Sequence, residues 1–155
     1  MVNPSDLIPI QESIEEAVKL VIPLPITVRS SFQVSDPVPL EAINIMLGCT
    51  GNFRGQVFIE SSVEFFKQIG ATLFGMEMEG EMLHSFIGEM GNMIMGNFCS
   101  QLCDRKIPVD ITPPTVIEGV SRIYGFSNST IIPMQVGDLG ELRFVFIIKE
   151  IIKTE

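Results

Sequence analysis

An acidic side chain and a carboxamide, Glu89 and Asn92, stand three residues apart in the middle of the segment Gly80–Lys106. If that segment is a helix, the two side chains project side by side from one face. The carboxylate can pair with a cation on another molecule, and the carboxamide offers a donor and an acceptor that can hold a water molecule in line for attack. Phosphoryl transfer to water needs little more from a protein than this positioning and the neutralisation of charge. The pair is therefore suited to hydrolysis of a phosphoryl group.

The segment that carries the pair has the pattern of a helix, although glycine and asparagine recur inside it. Each interior glycine costs roughly 1 kcal/mol relative to alanine, and each asparagine costs about 0.5 kcal/mol, so a helix kept only for packing would be expected to lose them. At about 100° per residue, small and polar residues share one stripe and apolar residues face away from it. The stripe contains Ser85, Glu89, Asn92, Gly96 and Cys103, and the opposite face contains Leu83, Phe86, Ile87, Met90, Ile94 and Phe98. We expect the apolar face in the core and the stripe exposed, with Gly96 allowing another protein to approach the backbone closely.

Several residues of this helix also have purely structural explanations. A Glu-x-x-Asn pair arises by chance in many helices, and exposed glutamate is common. Ser85 could contact a partner or could only bond to the preceding turn. Gly88 and Gly91 could serve close packing, and His84 is predicted to be structural. Asn97 falls on the apolar side, where a hydrogen-bonded core or interface amide is expected.

The composition predicts a single domain over residues 1–155. Of these residues 46% are hydrophobic and 19% charged, which is enough apolar material for a compact core. Apolar runs are interrupted well before about 18 residues, and the N-terminus lacks a signal pattern, so we expect a cytoplasmic protein that does not insert into membranes. The net charge is −9, and no basic cluster offers a track for phosphates. Nucleic acid is therefore excluded as an expected partner.

The three cysteines predict reduced thiols because they are too few for a secreted disulfide scaffold. Cys99 and Cys103 are four residues apart on the helix and could both touch a metal ion. A structural metal site usually needs four ligands, and the chain has one histidine and no second Cys/His pair. We expect this chain to bind no metal or cofactor.

Hydrophobic periodicity and turn residues predict the remaining elements. Helices are expected at Pro4–Val21, from a Ser62 cap to a stop at Gly75, and from Gly80 to near Lys106. Strands are expected at Ile26–Val34, Ile43–Cys49, Gly55–Glu60, Val109–Gly119, Ser121–Val136 with a break at Phe126–Ser129, and Glu141–Ile152.

An internal repeat favours an α+β fold with a pseudo-two-fold axis. The repeated stretches are Gly48–Ile59 with Gly137–Ile147, and Ile22–Thr27 with Ile107–Thr112. They suggest a duplicated unit of one helix followed by antiparallel strands, although hairpin turns can look alike for local reasons. Two units predict a six-stranded, mainly antiparallel sheet with long helices packed against it. The first unit has Pro4 and Leu7 where the second has Glu89 and Asn92, so only the second would carry chemistry.

The pattern Ser85-x-x-x-Glu89-x-x-Asn92, followed about twenty residues later by Pro113-Pro114, resembles the signature of the CheC/CheX/FliY family of bacterial chemotaxis phosphatases. The order of helices and strands is similar to the CheX-like members over nearly the whole chain. This resemblance implies hydrolysis of the aspartyl phosphate of a CheY-type response regulator, in chemotaxis or related two-component signalling. By resemblance, Glu89 would engage a lysine of the regulator and Asn92 would orient the hydrolytic water.

The resemblance also implies contacts and partners. Ser85, Gly96 and Pro114 would touch the regulator, which would supply both the phosphoaspartate and the Mg²⁺. A homodimer is expected, and the apolar run Arg143–Ile152 favours it because an open edge strand of this kind is an aggregation liability. A second class stays open, namely a non-catalytic module with the same fold that binds a response regulator or a flagellar switch.

Overall fold

The computed structural model describes residues 3–126 and 128–152. Its helices are α1 (Pro4–Val21), α2 (Val63–Phe74) and α3 (Gly80–Asp104). Its strands are β1 (Ile26–Val28), β2 (Phe32–Ser35), β3 (Val38–Leu40), β4 (Ile43–Gly51), β5 (Phe53–Ser61), β6 (Val109–Ile111), β7 (Thr115–Glu118), β8 (Ser121–Ile123), β9 (Asn128–Val136) and β10 (Gly140–Ile151). Among the described residues, none of the helices combines the length and the hydrophobicity that a membrane span requires.

Eight of these strands form one antiparallel sheet, and β3 pairs with β8 in a separate small sheet. The main order is β1-β9-β10-β5-β4-β6, with β2 also pairing with β9 and β7 also pairing with β4. The predicted α+β class with helices and an antiparallel sheet is confirmed. The predicted count of six strands is wrong, because each outer strand is divided in two and the short pair β3–β8 leaves the sheet.

Proline explains both divisions. The predicted strand Ile26–Val34 separates into β1 and β2 opposite Pro133 of β9, which has no N–H to donate to a neighbouring strand. The predicted strand Val109–Gly119 separates into β6 and β7 at Pro113 and Pro114. At each division the register shifts by one residue, as in a β-bulge: Val28 pairs with Met134 and Phe32 with Ile131.

The third predicted strand with an internal break also separates. Ser121–Ile123 becomes β8 and pairs with β3, and the chain re-enters the main sheet at Asn128. Gly125 adopts a φ of 92° in the connection, a conformation that ends the extended run. The predicted break at Phe126–Ser129 therefore falls slightly too late, and Ser127 lies outside the described residues.

The two halves of the chain have the same order of elements. One half runs α1-β1-β2-β3-β4-β5 and the other runs α3-β6-β7-β8-β9-β10, with α2 between them. If each strand of the main sheet is replaced by its counterpart in the other half, the same strand order is obtained, read from the opposite end of the sheet. In the small sheet, β3 pairs with its own counterpart β8. The outer strands of each half pair with the long hairpin of the other half.

Strand β10 lies in the centre of the sheet, so the edge argument for a dimer from Arg143–Ile152 is wrong. Arg143 pairs with Glu60 of β5 on one side and with Pro133 of β9 on the other. Phe144 and Phe146 face the larger core beneath the helices, whereas the alternate residues of β10 face a second core beneath β3 and β8. The apolar run reflects burial on both faces rather than an open edge.

Aromatic side chains join α3 to the sheet. Phe98 of α3 lies 5.9 Å from Phe53 of β5 and 5.7 Å from Phe146 of β10, measured between ring centroids. All three rings are 0–1% exposed. Edge-to-face and tilted packing of this kind adds to the free energy gained by burying the rings, and it makes α3 a rigid support.

The helix boundaries at α2 and α3 follow local signals. Ser62 caps α2, because its Oγ accepts a hydrogen bond from the Phe65 amide at 3.0 Å. Gly75 closes the helix with a φ of 69°, as predicted. Helix α3 ends at Asp104, close to the predicted Lys106.

Candidate active site

Helix α3 presents one face to the sheet and the other outward. Every residue predicted for its apolar face is buried, with exposed fractions of 0–8%. Gly91 lies on that face, and a Cβ there would come within 2.7 Å of Ile45 Cγ2 on β4. Gly91 therefore serves close packing of the helix on the sheet, and this approach fixes which residues face outward.

The predicted pair is on the outward face. Glu89 and Asn92 are both exposed and lie one turn apart on a continuous helix. Within residues 3–126 and 128–152, neither side chain has a hydrogen bond or an ion pair with another residue. Both polar groups are therefore free to engage another molecule.

The pair borders a shallow, open depression of about 430 Å³ between α3 and β7. The residues lining it are His84, Ser85, Gly88, Glu89, Asn92, Pro114 and Val116. The depression brings together four of the five predicted site residues, including Pro114, which is distant in sequence. Gly96 lies beyond it, one turn after Asn92, where a Cβ would meet no atom within 4 Å. This open position fits the predicted role of Gly96 as a place for close approach.

Three residues of the depression were not predicted as part of a site. His84 was predicted to be structural, but its Nε2 lies 3.2 Å from Glu118 Oε1 at the exposed edge of the depression. Val116 forms the apolar wall, and a Cβ at Gly88 would lie 3.7 Å from Val116 Cγ2. The position of His84 next to Ser85 was the available signal. The pairing of β7 with β4, which places Val116 and Glu118 beside α3, could not be read from the sequence.

The Asn97 amide is hydrogen-bonded, as predicted, but within its own helix and not in the core. Its Nδ2 donates to the Met93 carbonyl oxygen at 2.9 Å, one turn earlier on the same helix. The side chain is half-buried. Asn97 is therefore chemically similar to Asn92 but already has a partner for its amide group, which makes it a matched control.

Cys49, Cys99 and Cys103 do not line the depression, and Cys49 and Cys99 are poor nucleophiles. Burial raises the pKa of Cys49 to about 12, with a smaller contribution from the neighbouring Cys99. Burial, together with the charge of Cys103 and of Asp110, raises the pKa of Cys99 to about 11. Both thiols are protonated at neutral pH. In the described part of the chain, no three His, Cys, Asp or Glu residues are grouped to hold a metal ion.

Comparison with solved structures defines the fold class. A CheX of Desulfovibrio desulfuricans superposes with a TM-score of 0.76 at 15% identity, covering 92% of this chain and 98% of that one. A CheX of Borrelia burgdorferi, solved in a complex with CheY, BeF₃ and Mg²⁺, gives a TM-score of 0.73 at 21% identity, covering 92% and 96% of the two chains. The fold is therefore that of the CheX and CheC proteins.

Sequence comparison then establishes the family. A family model described as chemotaxis phosphatase CheX matches residues 43–134, more than half of the chain. The CheY-P phosphatase CheX of Thermotoga maritima is 39% identical over 77 residues, a match that covers 48% of this chain and about half (50%) of that relative. The segment matched by the family model contains β4 to β8, most of β9 and all of α2 and α3. The chain belongs to the chemotaxis phosphatase CheX family.

Proposed function

We propose that this protein is a phosphatase that hydrolyses the aspartyl phosphate of a CheY-type response regulator. The observation that carries the proposal is the outward, unpaired presentation of Glu89 and Asn92 on a helix that is fixed to the sheet. A catalytic pair that works inside another protein's pocket must be exposed, close together and rigidly held. The family and the name of the Thermotoga maritima relative supply the substrate class.

In the proposed reaction Asn92 positions the nucleophile. Its carboxamide oxygen accepts a hydrogen bond from a water molecule, and its N–H₂ group is free to donate to the phosphoryl group. The water oxygen forms the new bond to phosphorus while the bond from phosphorus to the aspartyl oxygen breaks. The products are inorganic phosphate and the free aspartate of the regulator. Asn92 contributes by holding the water in line, which removes an entropic cost from the step.

Glu89 would act in docking and charge placement. One turn before Asn92, its carboxylate can form a charge-assisted hydrogen bond with a lysine ammonium of the regulator. That contact would fix the distance between Asn92 and the phosphorus atom. Ser85, Gly96 and Pro114 would surround the contact, with Ser85 and Pro114 in the depression and Gly96 allowing close approach. The Mg²⁺ that neutralises the phosphoryl charge would belong to the regulator.

The test is the rate of dephosphorylation of the host's phosphorylated receiver domains, measured with and without this protein. We expect Asn92→Ala to reduce the accelerated rate by about 10²-fold or more, because loss of the correct position of a reacting group typically costs this much. Binding to the activated receiver should change little. Glu89→Ala should weaken both binding and rate.

Matched controls isolate these roles. Asn97→Ala removes the same carboxamide from the same helix, and Glu16→Ala removes an exposed carboxylate from α1. Both should leave the rate unchanged. Full activity of Asn92→Ala would refute the proposed role. If the wild-type chain binds receivers but never accelerates phosphate release, the non-catalytic binding module is the correct alternative.

Two further properties belong to the proposal. A regulator of this class works in the cytoplasm, and we place this protein there. We also propose a homodimer, supported by the family and by the outer strand β2, where Phe32 is 48% exposed at the end of the sheet. Light scattering at micromolar concentration tests it, with a mass of one chain, 17.2 kDa, as the contradicting result.

A further inference from the structure

A group of exposed apolar side chains lies at the turn between α2 and α3. Phe74 is 59% exposed, Met76 is 48% exposed and Met82 is 53% exposed. Large apolar residues that are grouped on a surface often mark an interaction site, whereas single ones are common everywhere. We call Phe74, Met76 and Met82, together with the glutamates among residues 76–81, the α2–α3 shoulder.

The shoulder rests on a buried base. The Phe74 ring packs edge-on against Phe86 of α3, with centroids 5.7 Å apart. Met78, between the exposed methionines, is 6% exposed, and a Cβ at Gly70 would lie 3.1 Å from its Cε. Met78 and Phe86 therefore anchor the turn from below. The exposed apolar side chains extend from a packed base.

The shoulder continues into the catalytic stripe. Met82 precedes Ser85 by one turn and Glu89 by seven residues, which is roughly 10 Å along the helix axis. Met93, 37% exposed, follows Glu89 by one turn. A stable interface covers about 800 Å² on each partner, equivalent to a patch roughly 30 Å across. A receiver that accepts Glu89 and Asn92 would therefore also cover Met82.

The charge around the apolar side chains is negative. Glu77, Glu79 and Glu81 are exposed along the same turn. Lys67 Nζ lies 3.3 Å from Glu79 Oε1 and offsets one of the three negative charges. The three carboxylates and this ammonium group together carry a net charge of −2. A partner with lysine or arginine around an apolar patch would match this surface, both in contact and in long-range attraction.

We propose that the α2–α3 shoulder is a docking surface for the same receiver domain, fitting a receiver face with apolar side chains bordered by lysine or arginine. The inference rests on the proposed function and adds a determinant of receiver choice outside the catalytic pair. Flexible methionine side chains suit a surface that must adapt to its partner. The acidic border selects for basic receivers and against acidic ones.

Two other occupants fit the shoulder less well. In a symmetric contact with a second copy of the chain, the same patch would face itself and bring like-charged glutamates together. An anionic membrane surface would repel the same carboxylates. A basic, apolar protein face is the complementary one.

The test uses the full chain and CheY-type receiver domains loaded with Mg²⁺ and beryllium fluoride, with the dissociation constant measured by fluorescence anisotropy. Met82→Glu should raise the dissociation constant about tenfold, and Met76→Glu should raise it severalfold. The matched control is Ile8→Glu, which adds the same charge at a residue 58% exposed. Ile8 is one turn from Glu12, whose carboxylate lies 3.9 Å from Arg105 at the far end of α3. This control should change the constant less than twofold.

Each result has one interpretation. If Met82→Glu binds the receiver as tightly as Ile8→Glu and the wild-type chain do, the proposal of a docking surface is wrong and the proposed function stands. If the wild-type chain binds without accelerating dephosphorylation, catalysis is wrong and the docking surface is judged from the dissociation constants alone. If the wild-type chain binds none of the receivers, both proposals are wrong. Unfolding curves of each variant, matched to the wild type, confirm that Met82→Glu and Met76→Glu remain folded.

Two additional measurements separate the apolar and charged parts of the surface. Glu81→Gln should reduce the dependence of the association rate on salt concentration, because it removes one charge from the border. Met82→Ala should weaken binding without altering that dependence. At a saturating concentration of this protein, the dephosphorylation rate with Met82→Ala should equal that of the wild type. Equal salt dependence in Glu81→Gln and the wild type would exclude the acidic border from docking.

Discussion

Two glycines of the same helix should respond oppositely to the same substitution. Gly96→Ala places a methyl group in open space on an exposed turn, so it should gain the intrinsic helix propensity of about 1 kcal/mol. Gly91→Ala gains the same propensity but places its methyl 2.7 Å from Ile45 Cγ2. Because Cγ2 is joined directly to Cβ of a fully buried side chain, it cannot move away without a rotamer change or a shift of α3.

The magnitude follows from these contacts. Overpacking of a buried site costs about 1–3 kcal/mol, so Gly91→Ala should be between neutral and about 2 kcal/mol less stable than the wild type. The two variants should therefore differ by about 1–3 kcal/mol. In a domain of this size, each kcal/mol shifts Tm by roughly 2–4 °C. Gly96→Ala should melt above the wild type and Gly91→Ala at or below it.

Calorimetry or chemical unfolding of the two variants measures this difference, and the phosphatase assay adds a second measurement. If Gly96 is kept for close approach of the receiver, Gly96→Ala should be more stable but less efficient, with a raised KM. Gly91→Ala should retain its catalytic parameters while folded. Equal stabilisation by the two substitutions would refute the description of how α3 packs on β4.

Three further predictions test separate parts of the fold. Ser62→Ala removes the cap that accepts from Phe65 N and should cost about 1 kcal/mol, measured by urea unfolding, whereas Ser62→Asp should restore most of it. Because burial raises the pKa of Cys49 from 9.0 to about 12, the folded chain keeps a proton on this thiol that the unfolded chain releases, so Cys49 should contribute a fall in stability of about 1.4 kcal/mol per unit as pH rises from 9 to 12, in addition to the contribution of Cys99 up to about pH 11. Cys49→Ala should reduce that slope in unfolding measured against pH. Glu60 is 5% exposed and lies 3.3 Å from Arg143. Glu60→Gln should therefore lower the free energy of unfolding by roughly 1–3 kcal/mol in the same urea assay. An unchanged unfolding midpoint would contradict the structural role of Glu60.

The sequence predicts local features of this protein well. The stripe of Glu89 and Asn92 follows from helical periodicity, and the caps at Ser62 and Gly75 follow from side-chain and backbone chemistry. These features depend on residues within a few positions of one another. The repeat also indicated the matching order of elements in the two halves.

Features that depend on distant pairing are less accessible. The prediction of an edge strand at Arg143–Ile152 is wrong, because an apolar run does not indicate whether strands or solvent lie on either side of it. The predicted strand Ile26–Val34 is divided because of Pro133, which lies on the neighbouring strand β9 and not in the divided strand itself. Val116 enters the candidate site because β7 pairs with β4, which no local pattern reveals. That Gly91 serves close packing is decided by the position of Ile45 on β4, which is distant in sequence.

We propose that Asn92 places the water that attacks the phosphoryl group of another protein. The most direct measurement is the rate of loss of phosphate from a phosphorylated receiver at saturating concentrations of wild type, Asn92→Ala and Asn97→Ala. We expect a fall of about 10²-fold or more for Asn92→Ala, and an unchanged rate for Asn97→Ala. Equal saturating rates for all three proteins would contradict it.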